Sequence, residues 1–229
     1  MLIIGHRGAR GLAPENTLAG FRKAVALGTP WVELDVQLHQ GELLVFHDER
    51  LERCTNGRGR LDQHDLAYLR GLDAGGGERI PRLAEVLDLV DRRAGVNVEL
   101  KTANGTAAAV AALLRDYLKR GWRPEQWLVS SFHLPELREF RRALPEVPVG
   151  ALLCGVPLDL AACGTALGAV AVNLALDFAD PALVADARRR GLKVYVYTVN
   201  EPDDFARMQA LGVDGVFTDF PDRAPGVAR

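Results

Sequence analysis

Cysteine is scarce in this chain of 229 residues, which has only Cys54, Cys154 and Cys163. No two of them form a C-x-x-C pair, and an odd number without metal-ligand spacing indicates reduced thiols rather than a disulfide framework or a zinc site. Because reduced thiols are typical of the cytosol, the sequence predicts a cytoplasmic protein.

Long apolar runs are also missing. No segment approaches the roughly 18 apolar residues needed to span a bilayer, and the run 1–4 is too short for a signal peptide. Neither sign of charge dominates, since 28 Lys and Arg face 30 Asp and Glu, for a formal net charge of −2. The sequence therefore predicts a soluble protein with no stable membrane insertion and no nucleic-acid partner.

What the chain does have is an alternation of short β-branched runs with longer helical patterns. The strand candidates are residues 2–5, 31–38, 96–100, 127–131, 149–153, 169–174, 193–199 and 215–219. The clearest helical patterns are residues 17–28, 105–121, 135–144, 180–191 and 201–212. Eight strands alternating with helices predict an α/β fold, a TIM (β/α)8 barrel. An open doubly wound sheet is the alternative, but no Gly-x-Gly-x-x-Gly follows the first strand.

Residues 48–81 interrupt this alternation. The segment is rich in Gly, Arg and Asp and has no clean strand–helix unit. We expect a single domain over 1–229 in which 48–81 is a small insertion, and long irregular segments of this kind are usually functional.

Two carboxylates share one face of the second strand. In WVELDVQL (31–38), Glu33 and Asp35 alternate with apolar residues that we expect to pack against the helices. In VNVELKT (96–102), the same alternation adds Glu99 to the inward set, with Lys101 near the end of its strand. Three carboxylates without a thiolate suit Mg²⁺ or Ca²⁺ better than zinc. A salt-bridge network without a metal is the alternative.

Two histidines are predicted to flank these carboxylates. The segment 39–42, HQGE, is a hairpin signal. Folding back there brings His47 opposite Leu34 or Asp35, while His6 ends the neighbouring first strand. Histidine is the side chain best suited to proton transfer near neutral pH. The other three histidines are expected to be surface or capping residues.

Basic and aromatic residues complete the candidate site. Arg7 and Lys101 fall at the same rim, and such cations match the oxygens of a phosphate ester. Tyr197 and Phe132 are candidates for an apolar wall around the organic part of a substrate, with core packing as the alternative. In the segment 14–17, PENT, the polar residues either cap the following helix or order the loop that contains His6 and Arg7 (the His-Arg loop).

Taken in order, the motifs of this chain resemble one family. The segments are GHRGARGLAPENT, ELDVQL, GELLVFHD, RCTNGRGRL, IPRLAEVL, NVELK, SSF, YTVNE and GVDGVFTDFP. Between Gly5 and Pro221 they are similar to the glycerophosphodiester phosphodiesterase family, which implies a TIM barrel with a small insertion. The resemblance also implies hydrolysis of a glycerophosphodiester, a small-molecule substrate, to glycerol 3-phosphate and an alcohol. A glycerol hydroxyl would attack phosphorus, and water would open the resulting cyclic phosphate.

The resemblance implies these roles: a divalent metal, Mg²⁺ or Ca²⁺, on Glu33, Asp35 and Glu99, acid–base catalysis by His6 and His47, and phosphate binding by Arg7 and Lys101. Tyr197 stands where the family often has Trp, which puts the leaving-group pocket in question. Two other functions stay open: a lyase of the same fold that stops at the cyclic phosphate, and a non-catalytic barrel that binds a phosphorylated ligand. The intact set of acid, base and metal residues argues against the latter.

Overall fold

Strands near the two ends of the chain pair with each other in this structure, a computed structural model that describes residues 1–224. The strands are β1 (Leu2–Gly5), β2 (Trp31–His39), β3 (Glu42–Val45), β4 (Gly95–Leu100), β5 (Trp127–Ser131), β6 (Val149–Leu153), β7 (Ala171–Ala175), β8 (Lys193–Tyr197) and β9 (Gly215–Thr218). Within residues 1–224, all strands except β3 are parallel to their neighbours, and β1 pairs with both β9 and β2 to close the barrel. The predicted TIM (β/α)8 barrel is confirmed.

Helices connect the barrel strands. They are α1 (Leu18–Ala26), α2 (Leu66–Gly71), α3 (Leu83–Val90), α4 (Thr106–Lys119), α5 (Leu134–Ala143), α6 (Ala162–Leu167), α7 (Pro181–Arg189) and α8 (Pro202–Leu211). The five helical patterns singled out in the sequence correspond to α1, α4, α5, α7 and α8. Within residues 1–224, none of the helices combines the length and the apolar character that crossing a bilayer requires.

Two apolar layers fix the barrel. The outer layer lies between strands and helices and takes the apolar residues of β2 and β4, such as Val32, Leu34 and Val98, all fully buried. The inner layer is a small cluster of Ile4, Leu128, Ala171, Tyr195 and Phe217. Because side chains fill the barrel interior, its C-terminal end is the floor of a pocket rather than the mouth of a channel.

The hairpin predicted after β2 is present. Gln40 and Gly41 have φ of 47° and 81°, the left-handed values of a tight hairpin turn. Val36 pairs with Val45, and the Phe46 N–H donates to the Asp35 carbonyl at 3.0 Å. This register returns the chain to the carboxylates of β2 just before His47.

The segment 48–81 follows the hairpin and packs on it in an apolar cluster to which both contribute. The cluster consists of Leu44, Phe46, Leu51, Leu61, Leu69, Leu72, Ala74 and Ile80. Helix α2 is the α-helix of this segment, which leads into α3. Burial of these side chains holds the segment next to the C-terminal end of the barrel, at roughly 25 cal/mol per Å² of apolar surface.

Candidate active site

Most of the predicted site residues line one cavity at the C-terminal ends of the strands. The cavity has a volume of about 210 Å³. Its predicted lining residues are His6, Arg7, Glu33, His47, Glu99, Phe132 and Tyr197. Asp35 and Lys101 lie directly beside it, since the Asp35 Oδ2 is 3.2 Å from the Arg7 Nε and the Lys101 Nζ is 2.7 Å from the Glu99 Oε1. All of the predicted residues are therefore brought together.

Three carboxylates form the floor of the site. Parallel pairing of β2 with β4 puts Asp35 opposite Glu99, and Glu33 is two residues earlier on the same inward face. One carboxylate oxygen from each of the three lies within 4.8 Å of the others. Glu33 and Asp35 are almost completely buried, with 2% and 1% of their surface exposed.

This proximity changes the protonation of the carboxyls. Burial and the neighbouring Asp35 and Glu99 carboxylates raise the pKa of Glu33 well above its ordinary value. Burial and the Asp35 carboxylate also raise the pKa of Glu99, to about 7. Burial disfavours ionisation of Asp35 too, but the Arg7 and Lys101 cations outweigh it and lower the pKa of Asp35. The cluster thus carries more acid groups than its two cations neutralise.

The donor set fits a hard divalent cation. Glu33 Oε1 is buried without a hydrogen-bond partner, whereas its Oε2 accepts the Arg7 backbone N–H at 2.8 Å. An orphaned buried carboxylate oxygen is unfavourable unless a ligand completes it. The three residues offer only oxygen atoms, the ligands that Mg²⁺ and Ca²⁺ prefer. Glu33, Asp35 and Glu99 are the residues that would hold such an ion.

Backbone geometry aims the His-Arg loop at these carboxylates. Arg7 has φ of 49°, a left-handed value uncommon for a residue with a side chain, and Gly8 has φ of 88°. A Cβ on Gly8 would approach the Gly20 carbonyl carbon to 2.8 Å, so the loop packs directly on α1. In this conformation the Arg7 N–H reaches Glu33, and the Arg7 Nη1 donates to Glu15 Oε1 at 2.7 Å.

The PENT segment divides its work between capping and the site. Thr17 caps α1 by accepting the Gly20 N–H at 3.2 Å. Asn16 Nδ2 donates to Asp35 Oδ2 at 2.9 Å, and the Asn16 N–H donates to the Arg7 carbonyl at 3.1 Å. The two sequence interpretations therefore apply to different residues of the same segment.

A carboxylate holds His6 from the far end of the chain. The His6 Nδ1 lies 2.7 Å from Asp219 Oδ1. Asn200 fixes that carboxylate in turn, because its Nδ2 donates to Asp219 Oδ2 at 2.9 Å and its Oδ1 accepts the Asp219 N–H at 2.9 Å. With Nδ1–H donated to Asp219, the His6 Nε2 keeps its lone pair for the cavity.

We expect Asp219→Asn to lower kcat by about 10²-fold or more. Asparagine keeps the shape but presents an amide where His6 needs an acceptor, and the same exchange in a Ser-His-Asp triad lowers kcat by about 10⁴-fold. Steady-state kinetics alongside Asp214→Asn, a carboxylate at the opposite end of β9 that accepts the Val194 N–H, would measure the effect. Unchanged kcat in Asp219→Asn would show that His6 does not depend on this bond.

His47 has a carboxylate partner of its own. The His47 Nδ1 lies 2.5 Å from Oδ1 of the adjacent Asp48. Burial lowers the pKa of His47, and the Lys101 and Arg7 cations add to this against the opposing Asp35 carboxylate. His47 is therefore biased towards its neutral form near pH 7. It also lines a second cavity of about 470 Å³, which contains Lys101.

The aromatic pair forms one wall of the 210 Å³ cavity. Phe132 and Tyr197 meet edge to face, with ring centroids 5.8 Å apart. The Tyr197 hydroxyl donates to the Leu153 carbonyl at 2.8 Å, so the backbone satisfies the group that a Trp would lack. Phe132 remains 45% exposed, which distinguishes it from a core residue.

The sequence pattern does not identify the carboxylate partners of the two histidines. Asp219 stands directly after the last strand, and closure of the predicted barrel makes that strand the neighbour of the one that ends before His6. That position was the available signal. Arg10, which lines the cavity and ion-pairs with Glu15 at 2.9 Å, carried no comparable signal.

Comparisons with known proteins agree on one family. The family model described as "Glycerophosphoryl diester phosphodiesterase family" matches residues 6–223. A glycerophosphodiester phosphodiesterase from Caldanaerobacter subterraneus is 35% identical over 100% of this chain and 98% of its own length. One from Bacillus altitudinis is 33% identical over 97% of this chain and 96% of its own. The solved structure of an Oleispira antarctica phosphodiesterase in complex with the product sn-glycerol-3-phosphate has a TM-score of 0.89 and 33% identity, covering 97% of this chain and 94% of that one.

Proposed function

Because the chain belongs to the glycerophosphoryl diester phosphodiesterase family and is a phosphodiesterase acting on glycerophosphodiesters, we propose that it works by two-histidine acid–base catalysis supported by a divalent cation. The observation that carries this proposal is that two imidazoles, those of His6 and His47, each contact a carboxylate and line one cavity. The floor of that cavity is formed by the acid groups of Glu33, Asp35 and Glu99. The products of the proposed reaction are glycerol 3-phosphate and an alcohol.

The reaction needs two proton transfers at phosphorus. One histidine takes the proton of a glycerol hydroxyl as that oxygen bonds to phosphorus, and the other protonates the alcohol oxygen as its bond to phosphorus breaks. Water then opens the resulting cyclic phosphate with the proton transfers reversed. Arg7 and Lys101 stabilise the negative charge on the phosphate oxygens throughout. The carboxylate on each imidazole Nδ1 keeps Nε2 as the transferring atom.

Three acid groups clustered on the floor of the site favour binding of a divalent cation there. Glu33, Asp35 and Glu99 would hold Mg²⁺ or Ca²⁺, and the bound ion would supply Lewis-acid charge against the phosphate. Support comes from the orphaned Glu33 Oε1 and from the raised pKa of Glu99, about 7. Both indicate a site that is incomplete with protein atoms alone.

A turnover assay on glycerophosphodiesters tests this proposal directly. We expect hydrolysis of substrates carrying choline, ethanolamine, glycerol or inositol with Mg²⁺ or Ca²⁺, and loss of turnover in EDTA. Phosphorus NMR should follow the appearance of glycerol 3-phosphate. A cyclic phosphate that accumulates without opening would identify the chain as a lyase. Full activity in EDTA would refute the proposed dependence on a divalent cation.

The cellular setting follows from substrate chemistry. A glycerophosphodiester is what remains when both acyl chains of a phospholipid are removed, so a deacylating reaction must supply the substrate in lipid metabolism. The three cysteines are free thiols, which supports the cytoplasm as the place of action. Fractionation of cells that express the tagged chain would locate it.

A further inference from the structure

One arginine of the 48–81 segment, Arg53, links two carboxylates that contact different residues of the candidate site. The Arg53 Nη1 and Nη2 donate to the Glu15 Oε2 and Oε1, both at 2.8 Å. The Arg53 Nε and Nη2 donate to the Asp48 Oδ2 and Oδ1, at 2.5 and 2.9 Å. A single guanidinium thus holds two carboxylates, each through two hydrogen bonds, which is the strong and directional form of this contact.

Each of these carboxylates holds a different site residue. Glu15 accepts the Nη1 of Arg7, the proposed phosphate ligand, at 2.7 Å. Asp48 lies 2.5 Å from the Nδ1 of His47, a proposed acid–base group. We propose that Arg53 is a positioning residue that orients His47 through Asp48 and Arg7 through Glu15. This inference rests on the proposed roles of His47 and Arg7.

The geometry requires a guanidinium. Arginine presents its N–H groups in a rigid planar fork, whereas the lysine ammonium is a point charge on a flexible stem. Arg53 also draws both carboxylates towards ionisation: its hydrogen bonds are the chief reason that the pKa of Asp48 falls to about 2. With Asp48 ionised and fixed, His47 keeps its proton on Nδ1.

The segment that carries Arg53 also contacts the first turn of α1 and the β1–α1 connection that precedes it. The Ala19 N–H donates to Glu78 Oε2 at 3.1 Å, and a Cβ on Gly75 would touch the ring of Pro14 at 3.1 Å. Arg53 therefore acts from a support packed against the β1–α1 connection, and a change there displaces the two site residues it orients.

We expect Arg53→Met to lower kcat by about 10- to 100-fold and to raise KM several-fold, since misplacing a reacting group by ~1 Å can lower the rate on the order of 10². Asp48→Asn alone should reproduce mainly the fall in kcat, because it releases His47. Glu15→Gln alone should reproduce mainly the rise in KM, because it releases Arg7. Adding Arg53→Met to either variant should then change only the other parameter.

The matched control is Arg60→Met. Arg60 is an arginine of the same segment that also joins two carboxylates, Glu49 at 2.6 Å and Asp62 at 3.1 Å, but at the surface. We expect it to leave kcat and KM unchanged. Arg53→Lys should fold like the parent protein, yet it should restore at most one of the two parameters, kcat or KM, to its parental value. It replaces Arg53→Met as the test if Arg53→Met does not fold.

A readout without turnover separates this inference from the proposed function. ¹⁵N NMR of the imidazole nitrogens should show one fixed His47 tautomer in the parent and a mixed or reversed one in Arg53→Met and Arg53→Lys, with His6 unchanged. If the parent protein hydrolyses no glycerophosphodiester, the proposed function fails while the NMR result still decides the role of Arg53. An unchanged His47 tautomer, or unchanged kcat and KM in an active enzyme, would overturn the inference.

Discussion

Replacing His6 or His47 by alanine is expected to lower kcat by about 10²–10⁴-fold, the usual contribution of general acid–base catalysis. Each imidazole is anchored by a carboxylate on Nδ1 and faces the cavity. In the proposed mechanism one histidine takes a proton and the other gives one, so the parent enzyme should show a bell-shaped dependence of kcat/KM on pH. Each variant should lose one limb of that bell, which identifies the base and the acid.

The control for this pair is His64→Ala. His64 belongs to the 48–81 segment, bonds the Arg58 carbonyl and stacks on Tyr68, away from the acidic cluster. Its loss should leave kcat and both limbs intact. Near-normal turnover of His6→Ala or His47→Ala with cation present would refute the role of that histidine.

The second large effect is expected in Glu99→Gln. This variant should weaken Mg²⁺ or Ca²⁺ binding by more than the ~10–100-fold that the loss of an outer-shell partner causes, and kcat should fall with it. Folding should not suffer in EDTA, because the change relieves the crowding of three buried acid groups and the amide oxygen can still accept from Lys101. Calorimetry with each ion and thermal unfolding in EDTA would measure both quantities.

The pH dependence of stability gives a further check on the same variant. With a pKa of about 7 in the folded metal-free protein against 4.5 for an unperturbed group, Glu99 holds its proton in the folded state while the unfolded chain has lost it. The free energy of unfolding should therefore fall as pH rises from about 4.5 to 7, and Glu99→Gln should flatten that fall. A cation present at 100 times its Kd should add about 2.7 kcal/mol to the free energy of unfolding of the parent protein.

Glu136→Gln is the matched carboxylate. Glu136 is also buried, but it accepts the Ala107 N–H at the start of α4 and lies outside the acidic cluster. Its loss should alter overall stability without reducing the increment that the cation adds. If Glu99→Gln bound the cation with parental affinity, Glu99 would be a structural carboxylate.

Local pattern carried much of this site. Alternation in β2 predicts Glu33 and Asp35 on one face, and a two-residue turn at 40–41 predicts the return of the chain before His47. Both features depend on neighbours in sequence, where side-chain period and turn chemistry act directly. The barrel followed because eight such strands alternate with helices.

Contacts between distant segments escaped the same reasoning. His6 and Asp219 are 213 positions apart, and Arg53 meets Glu15 across 38. Nothing in the local composition of these segments specifies the partner. Pairing of β1 with β9 brings His6 to Asp219, and packing of the 48–81 segment on the β1–α1 connection brings Arg53 to Glu15. Short helices such as α6, with six residues, are likewise set by packing rather than by a recognisable period.

The joining of β1 to β9 has a consequence for biosynthesis. His6 and Asp219, whose carboxylate contacts the His6 Nδ1, are 213 positions apart, so the ribosome makes His6 long before Asp219. A chain that stops before Asp219 lacks the carboxylate that contacts the imidazole for which we propose proton transfer. We therefore expect full activity only once the last strand, β9, has paired with the first, β1.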